Sequence, residues 1–144
     1  MKIKIGTYPT HRFYHNWLYS WFGYSPQQSV KVKIDKWDTW SMDHTLAHVI
    51  HPMLVQLKAT NHGYPSGLTE KKWDAIMDEM IWAFEQKCRD HWEGDYYGPY
   101  IESEDKRELF GRFEWIDDKG RDAHQKRMSN GFRLFGKYFE NLWD

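Results

Sequence analysis

The sequence predicts an α+β fold that is predominantly helical, with short N-terminal antiparallel strands packed with three long helices in a single domain, residues 1–144. Three observations carry this prediction. "MKIKI" at the start and "VKVKI" at 30–34 alternate lysine and an apolar residue with the period of a half-buried strand. Three later segments repeat apolar residues at helical spacing. At 144 residues, with 40% hydrophobic and 28% charged residues, the chain suits one folded core.

The elements follow in order. Gly-Thr-Tyr-Pro ends the first strand, "HNWLYSWFG" makes a short helix stopped by Gly23, and "SPQQ" turns the chain into the second strand. The first long helix is expected to start at Ser41, whose hydroxyl suits an N-cap, with Asp43 at the positive end of the helix dipole. Leu46, Val49, Ile50, Met53, Leu54 and Leu57 form its stripe, and Pro52 inside it predicts a kink. "ATNHGYPSG" is a loop. The second long helix starts at an N-capping Thr69, shows Trp73, Ile76, Met77, Met80, Ile81 and Phe84 on one face, and runs until Gly94 ends it. Residues 94–120 are the least legible, with "RFEWI" a short strand and "DDKG" a turn. The third helix covers about residues 121–142, with His124, Met128, Gly131, Phe132, Phe135, Tyr138, Phe139 and Leu142 as its stripe. Gly131 and Gly136 each weaken a free helix by roughly 1 kcal/mol, so close approach of a neighbour or a bend is expected there.

Composition narrows the function classes. The net charge of −1 lacks the basic surplus of a general nucleic-acid binder. One cysteine, Cys88, excludes a disulfide framework and points to a reducing compartment. The N-terminus lacks the apolar run of a signal peptide, and no window nears the roughly 20 apolar residues needed to span a bilayer, so a soluble intracellular protein with no membrane partner is expected. Aromatic residues reach 18%, with nine Trp and nine Tyr. Such rings suit an aromatic core and equally suit ligand walls and subunit contacts, which makes a homo-oligomer the expectation.

Three constellations bear on chemistry. His44, His48 and His51 lie on one helix face at i, i+4 and i+7. His44 and His48 have the spacing of a helical metal pair and would need a further ligand such as Asp74, Asp78 or His124; two histidines at that spacing equally serve helix packing. Asp74, Asp78 and Glu85, with Glu79 beside them, interleave with Trp73, Trp82 and Phe84. Desolvated, these carboxylates would have raised pKa values and suit acid–base work; on an open face they are simply solvated. Arg121, Lys126, Arg127, Arg133 and Lys137 along the third helix, and His11 and Arg12 in the N-terminal loop, set cations beside aromatics, an arrangement that suits phosphate and base as well as plain solubility. No nucleophile elbow, phosphate loop or dinucleotide fingerprint occurs, and Cys88 sits inside a helix.

The blocks "KVKIDKWDTWSMDHTLAHVIHPMLVQLK", "HGYP", "KKWDAIMDEMIWAFE" and "HQKRMSNGFRLFGKYFENLWD" cover more than half the chain, and through them it resembles a family of small proteins encoded by tailed bacteriophages. The resemblance implies a phage origin and the cytoplasm of an infected bacterial host; it implies no activity and no catalytic residue. The first functional expectation is a non-enzymatic accessory binding protein holding a small anionic, nucleotide-type ligand, such as a host-defence signal, in an aromatic and basic pocket. The second is a protein–protein interaction module binding a host or phage protein; the third is a metal-assisted hydrolase. The site would have Trp37, Trp40, Asp43, His44 and His48 as one wall, Trp73, Asp74, Asp78 and Trp82 as another, and Arg127, Asn130 and Arg133 closing it. No catalytic residue, cofactor or metal is assigned.

Overall fold

Alternating Lys-Ile and Lys-Val pairs build the first hairpin. In the computed structural model, which describes residues 1–6, 13–23, 27–60, 63–101 and 112–143, β1 (Lys2–Ile5) pairs antiparallel with β2 (Val30–Lys33), setting Lys2 opposite Lys33 and Ile3 opposite Val32. The ladder extends one step through the Gly6 N–H, which donates to the Ser29 carbonyl at 2.7 Å. Between the strands, α1 (Phe13–Phe22) ends where the sequence places its stop. Gly23 takes a left-handed φ of 63° and donates its N–H to the Tyr19 carbonyl at 2.9 Å. None of the side chains of α1 is buried. His11 and Arg12 lie outside the described residues.

The chain divides into two compact units, Met1–Met42 and Asp43–Asp144. They differ in charge. The first holds six Lys and Arg against two Asp, and the second holds 14 basic against 19 acidic residues.

The first long helix, α2 (Met42–Thr60), starts directly after Ser41, with Asp43 in its first turn, as the sequence places it. The chain between β2 and that helix forms a 3-10 helix, Lys36–Thr39, and the capping box sits at its start. The Asp35 carboxylate accepts the Trp37 N–H, and Asp38 accepts the Asp35 N–H. The backbone is still helical at Trp40 (φ −63°, ψ −45°), the residue that closes the 3-10 helix. Pro52 lies in the interior of α2, which remains helical on both sides of it.

Thr69 caps α3 (Glu70–Cys88) as expected, accepting the Lys72 N–H at 3.4 Å. This helix stops six residues short of Gly94. Arg89 is already extended, and His91 adopts a left-handed backbone with φ 59°, a conformation for which histidine is enriched. Residues Trp92–Tyr96 then make a 3-10 turn. A second hairpin follows from the segment that was hardest to read. β3 (Tyr97–Ile101) pairs antiparallel with β4 (Arg112–Trp115), the strand expected in "RFEWI". Tyr97 faces Trp115 and Tyr100 faces Phe113, so β3 carries one extra residue at Gly98-Pro99, where a proline costs the ladder least.

α4 (Asp118–Lys137) begins three residues earlier than expected, and a 3-10 turn, Phe139–Asn141, follows it. "DDKG" is therefore no separate turn. Asp117 accepts the Gly120 N–H at 2.8 Å and caps the helix, the same local bond an Asx-turn would use.

The core of the second unit lies among α2, α3 and the end of α4. Ala47, Leu54, Trp73, Met77, Met80 and Phe84 are buried there, with Met77 and Met80 fully enclosed. Phe84 meets Phe132 and Phe135 edge-on at centroid distances of 5.2 and 4.9 Å. Gly131 sets the closeness of α3 and α4. A Cβ there would lie 2.3 Å from the Cβ of Ala83 and 2.7 Å from the carbonyl oxygen of Glu79. The expected close approach holds at Gly131, whereas a Cβ on Gly136 would meet nothing within 4 Å. The architecture is a predominantly helical α+β fold with two short antiparallel hairpins.

Candidate functional site

The histidine row opens the helix it was assigned to. At the start of α2, the ammonium of Lys87 from α3 pairs with Asp43 and, with the N–H of His44, holds the Asp43 carboxyl below the usual carboxylate range. The His44 Nδ1 lies 3.1 Å from the Lys87 carbonyl oxygen. Its Nε2 faces the His48 Nε2 at 3.0 Å, the rings meeting edge-on. Asp90, just beyond α3, brings a carboxylate oxygen to 3.9 Å from the His44 Nε2. The start of α2 is thereby tied to the end of α3 by one ion pair and one histidine-to-backbone bond.

A second cluster lies where α3, α4 and the 3-10 turn Trp92–Tyr96 meet. The imidazole of His124 stacks on Trp92 (centroids 4.5 Å apart, planes 18° from parallel) and is flanked by Trp82 at 4.9 Å. Its Nδ1 bonds the Tyr96 hydroxyl at 2.9 Å, while its Nε2 is buried with no hydrogen-bond partner. A protonated ring would leave an N–H there without an acceptor. Burial, followed by the nearby positive charge of Arg89 and then of Arg127, pushes the His124 pKa down against the opposing pull of Asp95. The Arg127 guanidinium sits 3.8 Å from the Trp82 ring centroid and grips Glu79 with two hydrogen bonds of 3.0 and 2.8 Å. Arg89 grips Asp95 in the same manner at 3.1 and 2.9 Å.

Two hollows accompany these clusters. An open apolar groove of about 770 Å³ runs between α2 and the end of α4, lined by Ile50, Met53, Leu57, Phe135, Phe139 and Leu142 among others. A smaller polar one of about 280 Å³ is lined by Trp92, Glu93, Arg121, Asp122 and Gln125.

The predicted site residues fall in both units. Trp37 and Trp40 belong to the first unit, with ring centroids 6.3 Å apart and both rings largely exposed. Asp43, His44 and His48 gather at the start of α2, as above. Trp73 is no part of an open wall: it is 2% exposed, packed edge-on against Tyr138 in the core. Its place in the apolar stripe of α3 outweighs its polar edge. Asp74 is exposed, and Asp78 forms an ion pair with Lys58. Trp82 and Arg127 do come together. Asn130 accepts from Arg133 at 2.7 Å along the face of α4.

Sequence reasoning missed the assembly around His124. The signal was present in part, since His124 fell on the inward stripe of its helix, but its partners Trp92 and Tyr96 come from the irregular segment after α3. Cys88 is no activated nucleophile: burial first, then the charge of Glu85, raises its thiol pKa. Among the described residues no helix is long and apolar enough to cross a membrane. No family model matches the sequence, and no match is found among curated proteins or solved structures.

Proposed function

We propose that this chain is a non-enzymatic protein-interaction module, an accessory factor of a tailed bacteriophage that binds a host or phage protein in the infected cell. One observation carries the reading. Helix α1 holds six aromatic residues and buries none of its side chains; Phe13, Trp17, Tyr19, Trp21 and Phe22 are each more than half exposed. A ten-residue helix is marginal on its own in water, and its stability normally comes from burying an apolar face. Trp and Tyr are the side chains that dominate binding hot spots, and each buries about 150–250 Å² when covered. A few of them account for much of the roughly 800 Å² per partner of an ordinary interface. The resemblance described above supports the phage setting.

The nucleotide-sequestering reading rests on Trp82 and Arg127, which stand together as an aromatic and basic pair. Magnitudes favour the protein partner. The hollow near that cluster, about 280 Å³, is at the lower edge of ligand pockets, which run about 300–1,000 Å³. Among the described residues, the larger groove has no charged side chain in its lining to meet a phosphate. The Arg127 and Arg89 guanidinium groups are already paired with carboxylates.

The test is affinity purification of the full chain from infected cells beside a triple variant, Trp17→Ser, Trp21→Ser and Phe22→Ser. A stoichiometric protein that the wild type retains and the variant loses supports the module. Loss of the same partner from a Phe139→Ser variant instead, or release of a nucleotide on denaturing the wild type with no protein partner, overturns it. Light scattering of both forms separates self-association from binding to another protein.

A further inference from the structure

We propose that the start of α2 is a binding site for a divalent transition metal of the zinc type, with His44 and His48 as ligands and Asp90 as the third. The argument begins with the proton on His44. Its Nδ1 approaches the Lys87 backbone carbonyl at 3.1 Å, and a carbonyl oxygen only accepts. The proton therefore sits on Nδ1, and the neutral ring presents a bare lone pair at Nε2. This is the tautomer of a metal-ligating histidine, whose other nitrogen characteristically donates to a carbonyl or carboxylate.

The second part is geometric. The i, i+4 spacing on α2 brings the two Nε2 atoms to 3.0 Å. Two nitrogens each about 2.0–2.1 Å from one zinc ion are about 2.8–3.4 Å apart, for angles between a right angle and the tetrahedral value. The separation of the two nitrogens thus fits one cation, and each ring turns on binding so that its lone pair points off the line between them toward the ion. In its absence one proton, on His48, fills the gap between the two lone pairs. On binding, His48 presents the Nε2 lone pair and carries its remaining proton on Nδ1, so the neutral ring is preserved and charge balances.

The third ligand comes from a different element. Asp90 places Oδ1 3.9 Å from the His44 Nε2, and its side chain is 85% exposed. Among the described residues no three His, Cys, Asp or Glu side chains are already gathered around one point. Closure thus requires rotation of the Asp90 side chain, and the exposure of His48 and Asp90 leaves the remaining coordination positions to water. Asp43, the nearer acid in sequence, is held by Lys87 and plays no part. Two imidazoles and one carboxylate form a borderline donor set that suits zinc, cobalt or nickel over calcium or magnesium. Of the completing ligands the sequence offers, Asp74, Asp78 and His124, Asp78 is paired with Lys58 and His124 with Tyr96.

The experiment is a calorimetric titration of the tag-free, chelator-treated full chain with zinc chloride alone, repeated with cobalt and followed by its visible absorption. One equivalent of saturable binding is expected, with cobalt bands of mixed nitrogen and oxygen ligation. His48→Gln is expected to weaken binding by about tenfold or more, and Asp90→Asn by a smaller factor. Both side chains lie on the surface, so circular dichroism of these variants should match the wild type. The proposal is overturned by absence of saturable binding, or by zinc binding that His48→Gln leaves unchanged, since the remaining histidines would then be the ligands.

Discussion

Trp73 and Asp74 are neighbours in sequence with opposite fates, and residue-scale predictions start from that contrast. Trp73 is enclosed among α3, α2 and Tyr138, so Trp73→Ala should cost about 3–5 kcal/mol of unfolding free energy. Exposed Asp74 replaced by alanine should stay within about 0.5 kcal/mol of wild type, both measured by urea unfolding. His124 supplies a pH-dependent prediction. Its folded pKa lies below the ordinary 6.5, so across that window the unfolded chain binds more protons. Stability therefore rises with pH through the window and is lost as pH falls below about 6.5 toward the folded value. Unfolding midpoints at about pH 7.5 and about pH 5.5 should differ less in His124→Phe, which keeps a ring between the tryptophans but cannot titrate. At this scale the sequence was partly legible. Spacing placed His44 and His48 on one face, and their rings do meet. It also puts Trp73 in an apolar stripe, but a tryptophan suits a core and a ligand wall equally well, so spacing alone does not choose between them. What spacing could not supply is the identity of residues arriving from other elements: Lys87 on His44, and Tyr96 on His124.

The helices declare themselves through stripes and caps, and their ends through backbone chemistry that is harder to read. Thr69 is a cap in sequence and in structure. Ser41 stands directly before α2, and a capping box that spacing did not announce, Asp35 with Asp38, opens the separate 3-10 helix upstream of it. The end of α3 is set by the extended Arg89 and left-handed His91, for which no proline or glycine gives warning. The close pairing of α3 and α4 yields a two-sided prediction. Gly131→Ala drives a methyl into Ala83 and the Glu79 carbonyl and should destabilise by about 1–3 kcal/mol. Gly136→Ala meets open space in the same helix and should be neutral or stabilising by up to about 1 kcal/mol. Thermal unfolding of the two variants, run side by side, checks the pair.

For the whole molecule, the predominance of helix and the N-terminal hairpin were legible because both rest on periodicity, which a single sequence displays. The second hairpin was half legible. β4 lay in "RFEWI", but β3 contains Gly98-Pro99, residues that ordinarily argue against a strand and are tolerated here at a bulge. The aromatic surplus pointed to pockets or contacts without saying which, and α1 favours contacts. If its rings serve only binding, the triple variant Trp17→Ser, Trp21→Ser and Phe22→Ser should leave the urea midpoint of the second unit's unfolding within the equivalent of about 0.5 kcal/mol, because none of the three is buried. A fall well beyond that would mean that α1 supports the fold.

The uneven division of charge has its own consequence. A net charge of −1 suggests an electrically bland particle, yet the first 42 residues carry a surplus of four positive charges and the other 102 a surplus of five negative ones. Opposite regions of neighbouring molecules attract at low ionic strength, and salt screens that attraction over about 8–10 Å at physiological concentrations. The second virial coefficient should accordingly be negative in dilute buffer and climb as sodium chloride is added. The protein would then dissolve better in moderate salt than in water, and would be retained by cation and anion exchangers alike.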